Sequence, residues 1–292
     1  MERKKLVFIV NPASGVHKKN NITAIIEESI DRSKFDYSIE RTTGPGHATE
    51  ISRAQVEAGV DIVVAVGGDG SVNEAAKGLV HSQAVLGIIP AGSGNGLANF
   101  LKIPTNYRKA IEVINQQNVA KIDTGSINEK LFVSIAGIGF DGLVARKFAE
   151  SKRRGFLSYL RIVTEEYPNY KPKKYKITYD NNEINTRAMF IAFANSDQFG
   201  YGTAIAPNAR IDDGLLDVCI AAKPPIIDFP VLASLLYWRK IDKSKHLELF
   251  KASEIIVKSK KKRWVNIDGE SMKHGKKLFI KVHPNSLNII VP

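Results

Sequence analysis

Two short stretches hold the residue types and spacings that could do chemistry. In the first, the apolar run Ile62 to Val66 drops straight into Gly67-Gly68-Asp69-Gly70-Ser71. Glycines let a backbone turn sharply and approach a ligand closely. A helix opening at Ser71 offers unpaired N–H groups to an anion. Together they describe a phosphate cradle. Asp69 would repel phosphate directly, so it belongs there through a cation, Mg²⁺ or an ammonium, or as an orienter of the loop. A tight strand-to-helix turn with Asp69 as its cap is the bland alternative. The second stretch, Pro90-Ala91-Gly92-Ser93-Gly94-Asn95-Gly96, again lies between a strand and a helical stretch. Two such loops at neighbouring strand ends can close on one nucleotide from two sides. The absence of GxxxxGK[ST] excludes a P-loop. The absence of HRD and DFG excludes a protein kinase.

A third site is Asp268-Gly269-Glu270. Read as an extended turn, it points two carboxylates the same way at spacing two. Paired carboxylates can divide metal-binding or orientation from proton acceptance. An acidic hairpin turn is the competing reading. Gly137 to Gly142 satisfies GxGxxG, but no acid-ended strand follows about 20 residues on, so it is a poor dinucleotide site. It reads as a turn under the active site to which Asp141 could contribute. The six histidines show no metal-ligand spacing. The single cysteine, Cys219, excludes a disulfide framework and reads as a small buried hydrophobe.

The elements that must position these residues alternate at first. KLVFIV, FDYSIERT, DIVVAV and VLGIIP read as strands; NNITAIIEESI, HATEISRAQVEAG and SVNEAAKGLVH read as helices. That order predicts a doubly wound, Rossmann-like α/β sheet, with ligands beyond the carboxyl ends of its strands. After about residue 125, helices broken at Gly155 give way to strands and turns, an antiparallel β-rich, sandwich-like domain. The expected boundaries are 1–125 and 126–283, with 284–292 returning to the first domain. No stretch reaches the roughly 18–20 apolar residues of a spanning helix. Ile226 to Trp238 is the longest candidate, and a core role is its first expectation.

The net charge of +12 is uneven. Residues 1–145 balance 15 basic against 15 acidic side chains, whereas residues 146–292 hold 27 against 15. The excess comes in clumps at Lys152–Arg154, Lys171–Lys176, Lys258–Arg263 and Lys273–Lys277. This places an anionic partner on the second half. With little aromatic interleaving, nucleic acid is not expected.

GGDGSVNEAAKGL followed by GIIPAGSGNGLANFL resembles the diacylglycerol kinase catalytic domain family, which includes sphingosine and ceramide kinases and bacterial soluble lipid kinases. The resemblance spans nearly the whole chain. It runs through Asn11-Pro12-Ala13-Ser14-Gly15, Thr42-Thr43, Lys121-Ile122-Asp123, GIGFDGLV, DDGLLDV and Ile267-Asp268-Gly269-Glu270. It implies ATP binding by Gly67, Gly68, Asp69, Gly70, Ser71, Asn73 and Glu74, joined by Asn11, Thr42, Gly92, Ser93, Gly94 and Asn95. It implies Glu270 as general base, with Asp268, Asp69 and Asp123 as further catalytic candidates. It also implies a structural Mg²⁺ at Asp213 and the carbonyls of Arg210 and Leu215. GSGNGLA is closer to the sphingosine and ceramide kinase form of the second loop than to the bacterial one, so the lipid stays open.

The expectation is an ATP- and Mg²⁺-dependent lipid kinase with ATP in the cleft between its domains. Its acceptor is a membrane diacylglycerol or a sphingoid or ceramide-like alcohol. It is expected to be cytoplasmic and to visit an anionic membrane surface peripherally, with a homodimer left open. The rivals are an NAD kinase-like enzyme, which would lack the GSGN loop and the IDGE ending, and a catalytically silent lipid- or nucleotide-binding regulator.

Overall fold

A computed structural model describes residues 3–14, 22–151, 155–200 and 203–292. Gly15, His17 and the Lys152–Arg154 clump lie outside the described residues. The chain divides into two compact units, Met1–Ile122 with Asn285–Pro292, and Asp123–Pro284.

The first unit alternates strand and helix: β1 (Lys4–Val10), α1 (Ile22–Ser29), β2 (Phe35–Arg41), α2 (His47–Glu57), β3 (Ile62–Gly67), α3 (Asp69–Leu79), β4 (Val85–Pro90), α4 (Gly96–Phe100) and α5 (Tyr107–Gln116). All six residues of β3 are buried, as expected of a parallel strand covered on both faces. The strands are parallel in the order β2-β1-β3-β4. The chain's last residues return here, with Asn288 and Ile289 beside Val85 and Leu86.

Register fixes what matters for function. Val10 pairs with Arg41 and Val66, and Gly67 pairs with Pro90. Strand ends β1 to β4 are therefore level, and the loops leaving them start in one row. The order reverses between β1 and β3, the switch point where open α/β sheets bind ligands.

The second unit begins within β5 (Val119–Ile127) and continues through β6 (Lys130–Phe132), β7 (Ile135–Gly139), α6 (Phe140–Glu150), α7 (Phe156–Glu166), β8 (Lys173–Tyr179), β9 (Asn182–Ala188), β10 (Phe190–Ala194), β11 (Gln198–Gly200), β12 (Thr203–Ala204) and β13 (Leu216–Ala221). Then follow α8 (Phe229–Tyr237), β14 (Leu247–Ala252), β15 (Glu254–Ser259), β16 (Arg263–Ile267), β17 (Glu270–His274) and the first part of β18 (Lys277–Ile290). One antiparallel sheet runs β14-β13-β10-β7-β16-β17; β18, β15, β8 and β9 pair antiparallel in another. Ile191, Phe193, Val218 and Val265 from the first meet Ile177, Ile255, Val257 and Ile280 from the second in one core. This is the predicted sandwich. Period-two alternation sends Phe190, Ala192, Ala194 and Cys219 to the other face of the first sheet, where α6 and α7 cover them. Burial pushes the Cys219 thiol up, so it stays protonated and unreactive.

Asp141 opens α6 and is buried, with both carboxylate oxygens accepting from Asn266 Nδ2, at 3.1 and 3.0 Å. A Cβ on Gly137 would lie 2.1 Å from its Oδ2, so GxGxxG here spaces a carboxylate rather than a dinucleotide. Burial raises this carboxyl to about 6, against the Asn266 hydrogen bonds that oppose the rise. The folded chain thus keeps a proton that the unfolded chain releases from about pH 4 upward. Stability from this group is full below that window and falls as pH rises to about 6. Asp141→Asn should flatten this slope in urea titrations across the window; an unchanged slope counts against the assignment.

Candidate functional site

In the first unit the level strand ends place Asn11, Thr42, Gly67–Ser71 and Ala91–Gly96 together. The sheet ladder continues into them: Asn11 N–H donates to Val66 (3.1 Å), Thr42 N–H to Val10 (3.0 Å) and Ala91 N–H to Gly67 (2.8 Å). Asn11 Nδ2 donates to Ser71 Oγ at 2.9 Å, and Asn11 Oδ1 accepts from Ala13 N–H at 2.8 Å. The β1 loop is thereby pinned to the first turn of α3 across the switch point. A cavity of about 400 Å³ opens beside it, lined in part by Val10, Asn11, Ser14, Thr23, Arg41 and Tyr107. Thr42 is buried at the end of β2, and Ser93 is exposed on the second loop.

The glycines have separate duties. A Cβ on Gly67 would lie 2.4 Å from Ser71 Oγ, one on Gly92 2.5 Å from Gly68 Cα, and one on Gly94 2.7 Å from Asp69 Oδ2. These three let the loops pack on each other. Gly70 differs: a Cβ there meets nothing within 4 Å. It sits in the first turn of α3, whose leading N–H groups have no intrahelical acceptor. Open space beside such amides fits a phosphate.

In this structure Asp69 takes the second of the two roles the sequence left open, that of orienting the loop. Its Oδ2 accepts from Asn95 N–H at 2.9 Å and its Oδ1 from Gly96 N–H at 2.6 Å. Burial raises its carboxyl, and those two bonds oppose the rise. Asp69 orients the second glycine loop. Asn95 completes the tie in left-handed conformation (φ 52°): Oδ1 accepts from Gly92 N–H (2.9 Å) and Nδ2 donates to Gly92 O (2.8 Å). Two further expected nucleotide contacts are engaged within the fold. Asn73 is wholly buried. Glu74 accepts from Gly46 N–H (2.9 Å) and Ala48 N–H (3.2 Å), capping α2.

In the second unit the Asp268-Gly269-Glu270 reading divides. Asp268 and Gly269 have φ of 45° and 91°, and Ile267 pairs with Glu270. This is a two-residue hairpin turn, for which Asp-Gly is a preferred pair. The two carboxylates therefore do not point the same way. Asp268 is buried and accepts from the N–H groups of Val133 (2.7 Å), Ser134 (3.0 Å) and Ile135 (2.8 Å). It anchors the Val133–Ile135 backbone. Glu270, half-buried, remains at the end of the hairpin. Asn266 steadies the turn by accepting from Gly269 N–H at 2.9 Å.

Asp123 is likewise engaged by backbone. It is buried; its Oδ2 accepts from Gly214 N–H and its own N–H donates to Ile211 O, both at 2.7 Å. The expected Mg²⁺ set has a competitor. Asp213 Oδ1 accepts from Leu215 N–H (3.1 Å), while Lys251 Nζ lies 2.9 Å from both Asp213 and Asp217. Arg210 pairs outward with Asp212. Burial works to lower the Lys251 ammonium, but its bonds to the two carboxylates hold it above its ordinary value. Lys251 brings one positive charge against two carboxylates, so in this structure it competes with the expected ion for Asp213. Among the described residues, no three His, Cys, Asp or Glu side chains gather as a metal set. Sequence reasoning missed Lys251 because its partners lie 38 and 34 residues away. It missed Asn266 and the capping role of Glu74 for the same reason.

A doubly wound unit with two glycine loops at its switch point, followed by a β-sandwich with an acidic hairpin, is the architecture, and comparison supplies the family. Residues 5–127 match the diacylglycerol kinase catalytic domain, and residues 134–291 match the YegS C-terminal NAD kinase beta sandwich-like domain. The chain belongs to the diacylglycerol kinase catalytic domain family. It is 27% identical to a diacylglycerol kinase of Bacillus subtilis (strain 168), over 92% of this chain and 90% of that protein. It is 26% identical to one of Staphylococcus saprophyticus, over 92% and 89%. A crystal structure of a diacylglycerol kinase from Bacillus anthracis str. Sterne superposes with a TM-score of 0.78 at 22% identity, covering 100% of this chain and 98% of that one. The chain is thus a phosphotransferase with an alcohol acceptor, and its family implies ATP as donor.

Two substitutions separate the roles. Asp69→Asn turns an N–H donor toward a loop N–H. It should lower stability by about 1–3 kcal/mol and weaken ATP binding as the second loop loosens, read by denaturation and calorimetry. Gly70→Val should leave the melting temperature unchanged yet weaken ATP binding about tenfold or more, since its side chain fills only the space left for phosphate. Unchanged ATP affinity in Gly70→Val would remove the phosphate from that space.

Lys251→Met leaves Asp217 buried beside Asp213 without its cation and should cost about 1–3 kcal/mol. Added Mg²⁺ should restore part of that in the variant and none in the parent chain. Equal Mg²⁺ stabilisation of both would show that a metal belongs at Asp213 after all.

Proposed function

We propose that the chain transfers the γ-phosphate of ATP to the hydroxyl of a membrane lipid, a diacylglycerol or a sphingoid or ceramide-like alcohol. The observation that carries the nucleotide half is Gly70: it is the glycine of the first loop left facing open space, at a helix N-terminus and at the switch point of the sheet. Phosphoryl transfer is largely a matter of positioning and charge stabilisation. Asn11, Ser71, Asp69 and Asn95 supply the positioning by locking three loops to one another. Mg²⁺ entering with the triphosphate would spread its charge. Asp69 and Glu74 are engaged by backbone N–H groups, so neither is assigned to that ion.

Glu270 is assigned as the acceptor of the hydroxyl proton. The support is the stretch Ile267-Asp268-Gly269-Glu270, where the family resemblance puts the general base, together with the half-buried place of Glu270 just past the turn. The lipid-kinase reading is favoured over an NAD kinase because the catalytic-domain match spans both glycine loops.

Glu270→Gln should lower kcat by roughly 10²–10⁴ while ATP affinity stays near normal. Incubation with ATP and a total lipid extract, followed by mass spectrometry, should show one class of lipid alcohol gaining a phosphate, and the gain should disappear in Glu270→Gln. Phosphorylation of NAD with no lipid product would overturn the substrate reading. An intact kcat in the variant would move the proton elsewhere.

A further inference from the structure

Helix α8 is apolar and turned outward. None of its nine residues is buried. With the turn Ile226–Asp228 before it and Trp238 after it, it exposes Ile226 (67%), Ile227 (83%), Val231 (61%), Tyr237 (80%) and Trp238 (67%). This corrects the expectation of a core segment. Side chains this large are ordinarily exposed singly; five together on one short element mark an interaction surface.

The exposure does not come from a loose segment. At the front, Asp228 accepts from His246 Nε2 at 2.6 Å and pairs with Lys245 at 3.2 Å. The ring of Phe229 meets Tyr167 edge-on at 5.0 Å, and the Tyr167 hydroxyl donates to Pro224 O. At the back, Arg239 pairs with the buried carboxylate of Asp197. Leu232, Leu235 and Leu236 are half-buried on the inner side. The helix is held at both ends and along one side, with its apolar outer side presented to the surroundings.

We infer that α8 and its leading turn dock the protein on a membrane by shallow insertion into one leaflet. The sequence of side chains argues for that occupant. Tyr237 and Trp238 are followed by Lys240 and Lys243, which stand beside the ion-paired Arg239 and Lys245. Amphipathic rings settle at headgroup depth, and cations beside them attract anionic lipid. At about 1.5 Å per residue a nine-residue helix is far too short to span, so it lies in the interface plane. The basic cluster supplies charge complementarity to an anionic leaflet, whereas a second copy would bring a like-charged cluster against it. The inference rests on the lipid-kinase reading for its purpose, since the acceptor lies in a bilayer. It differs from docking by basic clumps alone, because apolar insertion survives salt.

Vesicle flotation without ATP tests it separately from catalysis. The probes are vesicles of phosphatidylcholine alone and of phosphatidylcholine mixed equally with phosphatidylglycerol. The full chain should bind both, the anionic one more tightly, and binding to the neutral one should persist in high salt. Ile227→Glu replaces an exposed side chain and should keep the melting temperature, yet lower partitioning onto both vesicles about tenfold or more. Lys240→Glu with Lys243→Glu should remove only the preference for anionic vesicles. Equal binding by Ile227→Glu and the parent chain would overturn the proposal. So would complete release by salt with no neutral binding, which assigns docking to charge alone. A parent dimer that Ile227→Glu turns into a monomer, with no vesicle binding by either, would make α8 a self-contact instead. If vesicle binding depends on Ile227 but no lipid is phosphorylated, the docking surface stands and the substrate reading falls; the reverse result separates them the other way.

Discussion

The arrangement in the first unit depends on two glycine loops packing backbone against backbone. Gly68 and Gly92 approach so closely that a methyl group on Gly92 would overlap its neighbour. Across this contact the Asp69 carboxylate takes the N–H groups of Asn95 and Gly96. A buried carboxylate with such donors is costly to disturb, because losing one leaves charge in a poorly solvated place. The loops therefore behave as one rigid platform. Under the proposed function that rigidity has a use: a triphosphate held by preset amides would need little reorganisation before transfer.

The same device recurs. Asp268 gathers three N–H groups from Val133 to Ile135, Asp123 holds Gly214, and Glu74 caps the start of α2. In each case a carboxylate fixes an irregular backbone segment that neither helix nor sheet would satisfy. Acidic residues in kinase-like motifs invite catalytic assignment, yet most of these build the frame. The proposed proton acceptor, Glu270, stands beside a hairpin turn held by Asp268 and Asn266.

The second unit shows how charge and apolar surface are placed for opposite ends. Its Asp213 and Asp217 share the ammonium of Lys251. Its sandwich buries both faces of one sheet, one against the other sheet and one under α6 and α7. With the core so closed, α8 is left over, apolar and pinned. Among the described residues no helix is long and apolar enough to cross a membrane.

Much was legible in the sequence by itself. Period and order determined the parallel sheet, because a buried parallel strand must read as a continuous Val/Ile run like Ile62 to Val66. The glycine clusters marked the strand ends, and the motif order determined the family. What tertiary structure alone decided is what each carboxylate touches. Asp69 and Asn95 are 26 residues apart, Asp268 and Ser134 are 134 apart, and Lys251 and Asp213 are 38 apart. Local spacing carries no information on such partners, since they meet only when the sheets close. Asp-Gly at 268–269 could be an extended turn or a hairpin until Ile267 paired with Glu270. The apolar stretch at 226–238 likewise looked like core, because hydrophobicity records what a side chain avoids and not whether the fold has room to bury it.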